Sequence, residues 1–207
     1  MKRRIDEVLD LHLGAGSRVL LIVAALLLVF VYFTPLWNLT MFAPQYPDGL
    51  RLDIYSYKLA GGNSGQDARE INLLNHYIGM KDLVTSDFTE FKWMPFVVGM
   101  FALLFLRAAV FGRMQYLIDA FVLYIYFGLF SIGSFAYKLY SYGHELAPTA
   151  AVRVAPFMPP MLGHRKIANF DIYSFPKPAS YMLAASAVAL ALSMLLAWRG
   201  RRKEAAA

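Results

Sequence analysis

The sequence contains no cysteine in its 207 residues. This absence excludes disulfide bonds, thiolate metal sites, iron–sulfur clusters, covalently attached c-type haem and a cysteine nucleophile. Charged residues are also scarce, because they make up 16% of the chain against about 25% in an average soluble domain. Hydrophobic residues reach 58%, so we expect much of the chain to lie in lipid rather than in a water-facing core.

Signatures of common enzyme and cofactor sites are missing as well. The chain has no P-loop, no HExxH zinc motif and no GxSxG nucleophile motif. None of the four histidines falls in the middle of a predicted membrane span, which argues against a bis-histidine haem or a di-iron site inside the bilayer. The sequence therefore predicts a protein that is not an enzyme.

Four apolar segments predict helices that cross a bilayer, which takes about 20 residues each. The second of them reaches this length only if its helix continues past Arg107, with the arginine side chain extending to the interface. The fold class that follows is membrane α, a four-transmembrane-helix bundle. The predicted spans are residues 19–37, 93–112, 114–138 and 179–198.

Basic residues cluster at one end of these spans and predict their orientation. By the positive-inside rule, the lead-in 1–18 and the tail 199–207 then lie in the cytoplasm and the protein belongs to the bacterial inner membrane. The same clusters account for much of the net charge of +6, so we expect lipid and no nucleic acid as a partner. The clustered residues are Lys2, Arg3, Arg4, Arg18, Arg107, Arg113, Arg199, Arg201, Arg202 and Lys203.

Two aromatic-rich segments would lie outside the cell membrane. In the first, residues 50–59 alternate in polarity and predict a strand, and a helix is expected from Asp67 until Gly79 stops it. The second is rich in proline and predicts one short strand at residues 167–173. We expect the two segments to form a small mixed α/β cap on the bundle. These extracytoplasmic segments are residues 38–92 and 139–178.

Histidine and methionine are concentrated in the predicted outer segments. Imidazole and thioether ligands without thiolate suit Cu(I) better than zinc or calcium. His76 and Met80 share one helix face if the helix continues past Gly79. Packing or hydrogen bonding is the alternative role for every one of these side chains. The candidate ligands are His76, Met80, His164, Met161, Met158 and His144.

Asp119 is the only acidic residue inside a predicted span. Arg107 lies at a similar depth on the preceding helix, and a charge in lipid usually has a partner. The first interpretation is a structural ion pair between Arg107 and Asp119. An Asp119 near the lipid headgroups without a fixed partner, and a proton relay, are the alternatives.

Two sets of small or polar residues are expected to make helix contacts. Ala185, Ala189 and Ser193 recur every four residues, a spacing that lets helix backbones approach closely. That packing is expected inside the bundle, or else against a partner membrane protein. Asn72 and Asn75 are expected to hydrogen-bond, attaching the outer helix to the second outer segment, or to bind a ligand.

Several strings resemble an uncharacterised family of small bacterial four-helix membrane proteins. They are APQYPDGLRLDIY, EINLLNHYIGMKDL with its LNHYIGM motif, and PFMPPMLGHRKIANFDIYSFP. The family is associated with gene clusters for nitrous oxide reductase and periplasmic copper handling. The resemblance implies an inner-membrane accessory protein that binds or delivers copper to, or docks, an extracytoplasmic copper enzyme during its maturation. The alternative is a structural subunit of a membrane respiratory or transport complex.

Overall fold

The computed structural model describes residues 8–167 and 169–204. Lys2, Arg3 and Arg4, which support the predicted orientation, lie outside the described residues. The described chain is mostly helical and also contains one antiparallel sheet. The helices are α1 Ala15–Phe30, α2 Gln66–Ile78, α3 Glu90–Phe111, α4 Met114–His144 and α5 Pro178–Glu204. The strands are β1 Trp37–Ala43, β2 Tyr46–Ile54, β3 Leu59–Gly61, β4 Gly163–Ile167 and β5 Phe170–Pro176.

Three helices are long and apolar enough to cross a membrane, and they indicate a membrane protein. They are α3, α4 and the Pro178–Gly200 part of α5. Helix α1 is also apolar but has 16 residues, fewer than the about 20 that a bilayer takes. It ends at Phe30, well before the predicted limit at residue 37, because Pro35 cannot continue a helix and disfavours helical geometry in the residue before it.

The described chain divides into two compact units. The helical unit draws on Met1–Phe33, Pro95–Leu129 and Tyr181–Ala207. The sheet unit comprises Thr34–Met94 and Phe130–Ser180.

In the helical unit, serine hydroxyls link α1 to α5. The Ser17 hydroxyl donates to the Ser193 carbonyl and the Ser193 hydroxyl donates to the Ser17 carbonyl, each at 3.0 Å. The Ser186 hydroxyl donates to the carbonyl of Ala24 at 3.1 Å. Such short side chains allow close backbone approach in an apolar environment. The predicted packing inside the bundle is confirmed for Ser193 and for Ala189, which is also buried.

The small-residue stripe of α5 differs from its prediction at one position. Ala185 is exposed and the neighbouring Ser186 is fully buried instead. The buried positions Ser186, Ala189, Ser193 and Ala197 are three, four and four residues apart, which keeps them on one helix face. A strict repeat of four drifts off that face, which is why Ala185 was wrongly included.

A tight turn joins α3 to α4 in the helical unit. Gly112 adopts a positive φ of 62° there, which an L side chain would oppose. The backbone just before α1 pairs with this turn, since the Leu13 N–H donates to the Gly112 carbonyl at 2.7 Å and the Met114 N–H donates to the Leu11 carbonyl at 2.8 Å. The Arg18 guanidinium completes the contact by donating to the Leu13 carbonyl at 3.1 Å.

In the sheet unit, both predicted outer segments contribute to one five-stranded antiparallel sheet. Its strand order is β3-β2-β1-β5-β4, so β1 is central. Leu39 of β1 is opposite Leu52 of β2 on one side and Ser174 of β5 on the other. The pairing of β1 with β5 thus joins the segment before α3 to the segment after α4.

Three strand predictions require correction. The strand expected at residues 50–59 starts earlier, at Tyr46, and ends at Ile54, because a turn separates it from β3. The single strand expected at residues 167–173 is wrong, since two antiparallel strands, β4 and β5, occur there and Ile167 pairs with Phe170. Strand β1 was not predicted, because its residues prolong the uncharged run that was assigned to the first span.

The core of the sheet unit lies between the sheet and α2. Leu50 and Leu52 of β2 pack with Ile71 of α2, and all three are buried. The predicted stop of α2 at Gly79 is confirmed: its φ is 81°, and the following Met80 N–H donates to the Asn75 carbonyl at 2.8 Å. This ending matches the left-handed glycine termination common at helix C-termini.

Two glycines of α4 give a matched test of this fold. A Cβ at Gly143 would lie 1.8 Å from the Phe157 carbonyl oxygen, whereas a Cβ at Gly133 meets nothing within 4 Å. Gly143→Ala should therefore lower the melting temperature of the detergent-solubilised protein, since overpacking costs about 1–3 kcal/mol. Gly133→Ala should leave it unchanged or raise it, because alanine favours helix by about 1 kcal/mol. Equal melting temperatures for the two variants would contradict this packing.

Candidate functional site on the open face of the sheet

The sheet has one covered face and one open face. Successive residues of a strand point to opposite faces. Leu39 and Met41 therefore lie on the face covered by α2, and Thr40 lies on the other. We call this other side the open face. It carries the exposed aromatic side chains Tyr173 and Phe175, which are 38% and 47% accessible.

Four side chains form a row across the open face. Thr40 is opposite Arg51 on one side and Tyr173 on the other, and His164 is opposite Tyr173. Directly paired residues of antiparallel strands bring their side chains within contact distance. The row therefore places an imidazole, a phenol, a hydroxyl and a guanidinium side by side on β4, β5, β1 and β2.

A hydrogen-bonded network fixes the β1–β2 end of this row. The Arg51 guanidinium contacts Asp53 Oδ2 at 2.8 Å, and the Asn38 amide donates to Asp53 Oδ1 at 2.9 Å. The Thr40 hydroxyl donates to the side-chain amide oxygen Oδ1 of Asn38 at 2.8 Å. Both carboxylate oxygens of Asp53 are thereby occupied within the chain, so the network positions side chains and offers no free carboxylate to a ligand.

His164 is oriented by two neighbours at the other end of the row. Its Nε2 donates to Asp171 Oδ1 at 2.8 Å, and its ring centroid lies 4.5 Å from that of Tyr173. Its Nδ1 makes no hydrogen bond within the described part of the chain. A carboxylate that holds one ring nitrogen is the usual support for an imidazole whose other nitrogen binds a metal. The arrangement therefore offers one oriented nitrogen ligand.

Met158 and Met161 are joined to strands β4 and β5 through their backbone carbonyls. The Met158 carbonyl accepts a hydrogen bond from Arg165 at 3.2 Å, and the Met161 carbonyl accepts one from Ser174 at 3.0 Å. Arg165 and Ser174 belong to the register of the covered face, whereas His164 belongs to the open face.

The other predicted ligands are separate. His76 is exposed on α2, but the left-handed Gly79 ends the helix before Met80, so the expected i, i+4 relation is absent. His144 donates from Nδ1 to the Tyr140 carbonyl at 3.0 Å and stacks on the Tyr140 ring at 3.8 Å. Among the residues that the structure describes, no three His, Asp or Glu side chains converge on a metal position. Copper binding stays a prediction.

Asn72 and Asn75 hydrogen-bond as expected, but to a different segment. Asn72 Oδ1 accepts from the Leu83 N–H at 2.7 Å, and the Asn75 amide donates to the Lys81 carbonyl at 3.5 Å. Asn75 is buried. These side chains therefore hold the loop that follows α2 rather than the second outer segment.

The second outer segment is attached to α2 through backbone groups instead. The Ala147 N–H donates to the Gly79 carbonyl at 2.8 Å, and the Val152 N–H donates to the Tyr77 carbonyl at 3.1 Å. Beside them the Lys81 ammonium pairs with the Glu145 carboxylate. The LNHYIGM motif thus ends where the second outer segment contacts α2. Its asparagine binds the loop that follows α2, and its glycine ends the helix and accepts the hydrogen bond from Ala147.

The predicted ion pair between Arg107 and Asp119 is wrong. Arg107 instead places its guanidinium 4.7 Å from the centre of the Tyr116 ring, where the aromatic face attracts the cation. Arg107 and Asp119 still line one groove between α3 and α4. The three ion pairs among the described residues are Arg51–Asp53, Lys81–Glu145 and His164–Asp171.

Comparison with known proteins gives no match, whether to protein-family models, to curated proteins or to solved structures. Function must therefore be inferred from the geometry of the chain. Sequence reasoning named His164 but did not select Asp171, Tyr173, Thr40 or Arg51. The alternation of FDIYSFP could have placed Asp171 and Tyr173 on one face, yet their proximity to β1 depends on sheet pairing.

The Lys81–Glu145 pair predicts an acid-dependent contribution to stability. A hydrogen bond from Lys81, aided by one from Ser141, lowers the pKa of Glu145 below its ordinary 4.5. Because the folded-state pKa is the lower one, the stabilisation is complete above about pH 4.5 and is lost as the pH falls through the folded value. Glu145→Gln should therefore lose less melting temperature than wild type on acidification. Asp48→Asn, at an exposed position of β2, should behave as wild type, and an unaltered acid profile of Glu145→Gln would refute the linkage.

Proposed function

We propose that the protein is a non-enzymatic accessory protein of the bacterial inner membrane, and that the open face docks an extracytoplasmic copper enzyme. The observation that carries this proposal is the row of exposed aromatic, imidazole and guanidinium side chains. Tyr173 and Phe175 stand beside His164 and Arg51 in register. Aromatic residues and arginine dominate the energetics of protein interfaces, because they bury large areas at little entropic cost. The copper enzyme comes from the resemblance of the outer segments to the copper-associated family.

The proposed topology has four spans with both termini in the cytoplasm. Strands β1–β3 follow α1 and strands β4–β5 precede α5, and one sheet contains them all. The segment between α1 and α3 and the segment between α4 and α5 must then lie on the same side of the membrane. Helix α3 therefore crosses to the other side, and α4 crosses back after the turn at Gly112. The antiparallel contacts of Ser17 with Ser193 and of Ala24 with Ser186 support α1 as the fourth crossing helix.

Docking fits the geometry better than a preformed copper centre within this chain. His144 is hydrogen-bonded to the Tyr140 carbonyl and the helix with His76 ends at Gly79, whereas His164 is oriented on the open face itself. A copper ion passing to a docked enzyme would meet His164 Nδ1, and the enzyme would supply its other ligands. Copper delivery is therefore the second candidate function, and the His164–Asp171 pair is the observation that favours it.

A structural subunit of a respiratory or transport complex is the alternative from another class. Arg107 and Asp119 are exposed on α3 and α4 and form no ion pair with each other. Charges on apolar helices favour a partner that neutralises them. A stable stoichiometric membrane partner that co-purifies with the chain would favour this alternative over docking.

Site-specific photocrosslinking in native membranes tests the docking proposal. A photoreactive phenylalanine analogue at Phe175 should capture an extracytoplasmic protein that contains copper, identified by mass spectrometry and metal analysis. The same analogue at Tyr77, which is 56% accessible on α2, is the matched control and should capture none. Absence of the adduct at Phe175, or equal capture at both positions, would overturn the proposal.

Cu(I) competition with a chromogenic chelator tests the delivery candidate on the purified protein. If the oriented imidazole is the copper ligand, His164→Ala should abolish the weak Cu(I) uptake of wild type. The double variant His76→Ala, Met80→Ala should retain it, because Gly79 separates those two side chains. Uptake that is lost only in the double variant would instead restore the pair first predicted from the sequence. Identical uptake by wild type and both variants would eliminate copper ligation by these residues.

A further inference from the structure

A groove between α3 and α4 in the helical unit has the composition of a lipid headgroup site. Its volume is about 620 Å³. Polar and apolar side chains share its lining in roughly equal number. The polar ones are Arg107, Gln115, Tyr116 and Asp119, and the apolar ones include Leu104 and Leu123.

The groove holds one positive and one negative charge that do not neutralise each other. Arg107 and Asp119 are both exposed and form no ion pair with each other. The Arg107 guanidinium is held over the Tyr116 ring at 4.7 Å and near the Phe111 ring at 5.9 Å. This stacking fixes the cation while its N–H donors stay directed to other acceptors. Asp119 makes no hydrogen bond within the described part of the chain.

The depth of the groove matches the boundary between lipid headgroups and acyl chains. Helix α3 ends at Phe111 and α4 begins at Met114. At 1.5 Å per residue, Arg107 and Asp119 lie about 8 Å from the turn between these helices. The headgroup region on each side of the hydrocarbon core is about 5–8 Å thick. In a bilayer that places this turn at the water side of the headgroup region, both charges would therefore fall where a phosphate and its substituents reside.

We propose that this groove binds phosphatidylethanolamine, with the lipid phosphate at Arg107 and the primary ammonium at Asp119. The ligand carries both charges on one short headgroup, and its acyl chains would follow Leu104 and Leu123. Phosphatidylglycerol, which is anionic, would supply the phosphate for Arg107 but no ammonium for Asp119. A choline headgroup has no N–H to donate to the carboxylate. The proposal requires only that α3 and α4 lie in a bilayer. It is therefore independent of the proposals that the open face docks an enzyme or delivers copper.

Native mass spectrometry of the full chain with defined lipids tests this assignment. Wild type should retain phosphatidylethanolamine in preference to phosphatidylglycerol and phosphatidylcholine. Asp119→Asn, which preserves side-chain shape, should weaken phosphatidylethanolamine binding about tenfold, the loss expected for one charged hydrogen bond. It should leave phosphatidylglycerol binding unchanged or stronger. Arg107→Gln should weaken the binding of both lipids.

Arg113→Gln is the matched control, because Arg113 is an exposed arginine at the same turn but not part of the groove lining. It should bind phosphatidylethanolamine as wild type does. Soluble phosphoethanolamine at the same concentration should not compete, since the acyl chains contribute to affinity. Equal losses for Arg113→Gln and Arg107→Gln, or an Asp119→Asn variant with unchanged lipid preference, would overturn the site. Folding of each variant is checked by size-exclusion elution before lipid is added.

Discussion

The antiparallel pairing of β1 with β5 is the constraint on which the rest of the sheet unit depends. Trp37 lies opposite Pro176, and the register continues to Phe42 opposite Asp171. This ladder joins two segments that are separated along the chain by α3 and α4. It also completes the row of side chains on the open face, because Thr40 and Tyr173 meet only through it. On the covered face, Leu39 and Met41 of the same strand β1 pack against the cluster of Leu50, Leu52 and Ile71.

The two units satisfy their buried polar groups in different ways. In the helical unit, hydroxyls such as Ser17 and Ser193 donate to carbonyls of the opposite helix, so each short side chain also acts as a close-packing contact. In the sheet unit the buried carboxylate of Asp67 accepts from the Arg51 N–H at 2.9 Å and from the Asn63 amide at 2.8 Å. Because an unsatisfied buried group costs about 1–3 kcal/mol, these bonds explain why both residue types are tolerated there.

The sequence predicts those elements that depend on interactions between residues close together in the chain. The length of an apolar run predicts α3, α4 and α5, and a glycine after a periodic stripe predicts the end of α2. Strand β1 could not be predicted this way, because its uncharged residues suit lipid as well as a sheet and only β2 and β5 select between them. The candidate site divides similarly: His164 was identified from its chemistry, but Asp171 is its partner because β5 pairs with β4.

The two units differ in how their charged side chains are paired, and this difference bears on the ligands that each unit could bind. On the sheet unit, Asp53 and Glu145 each pair with a cation of the same chain, and Asp171 accepts a hydrogen bond from the His164 imidazole. Under the docking proposal, recognition at the open face would depend mainly on the aromatic area of Tyr173 and Phe175, which salt screens little. In the helical unit, Arg107 and Asp119 are left without mutual neutralisation in surroundings where charge is costly. The strongest electrostatic demand for an external ligand thus comes from the apolar helices rather than from the polar sheet.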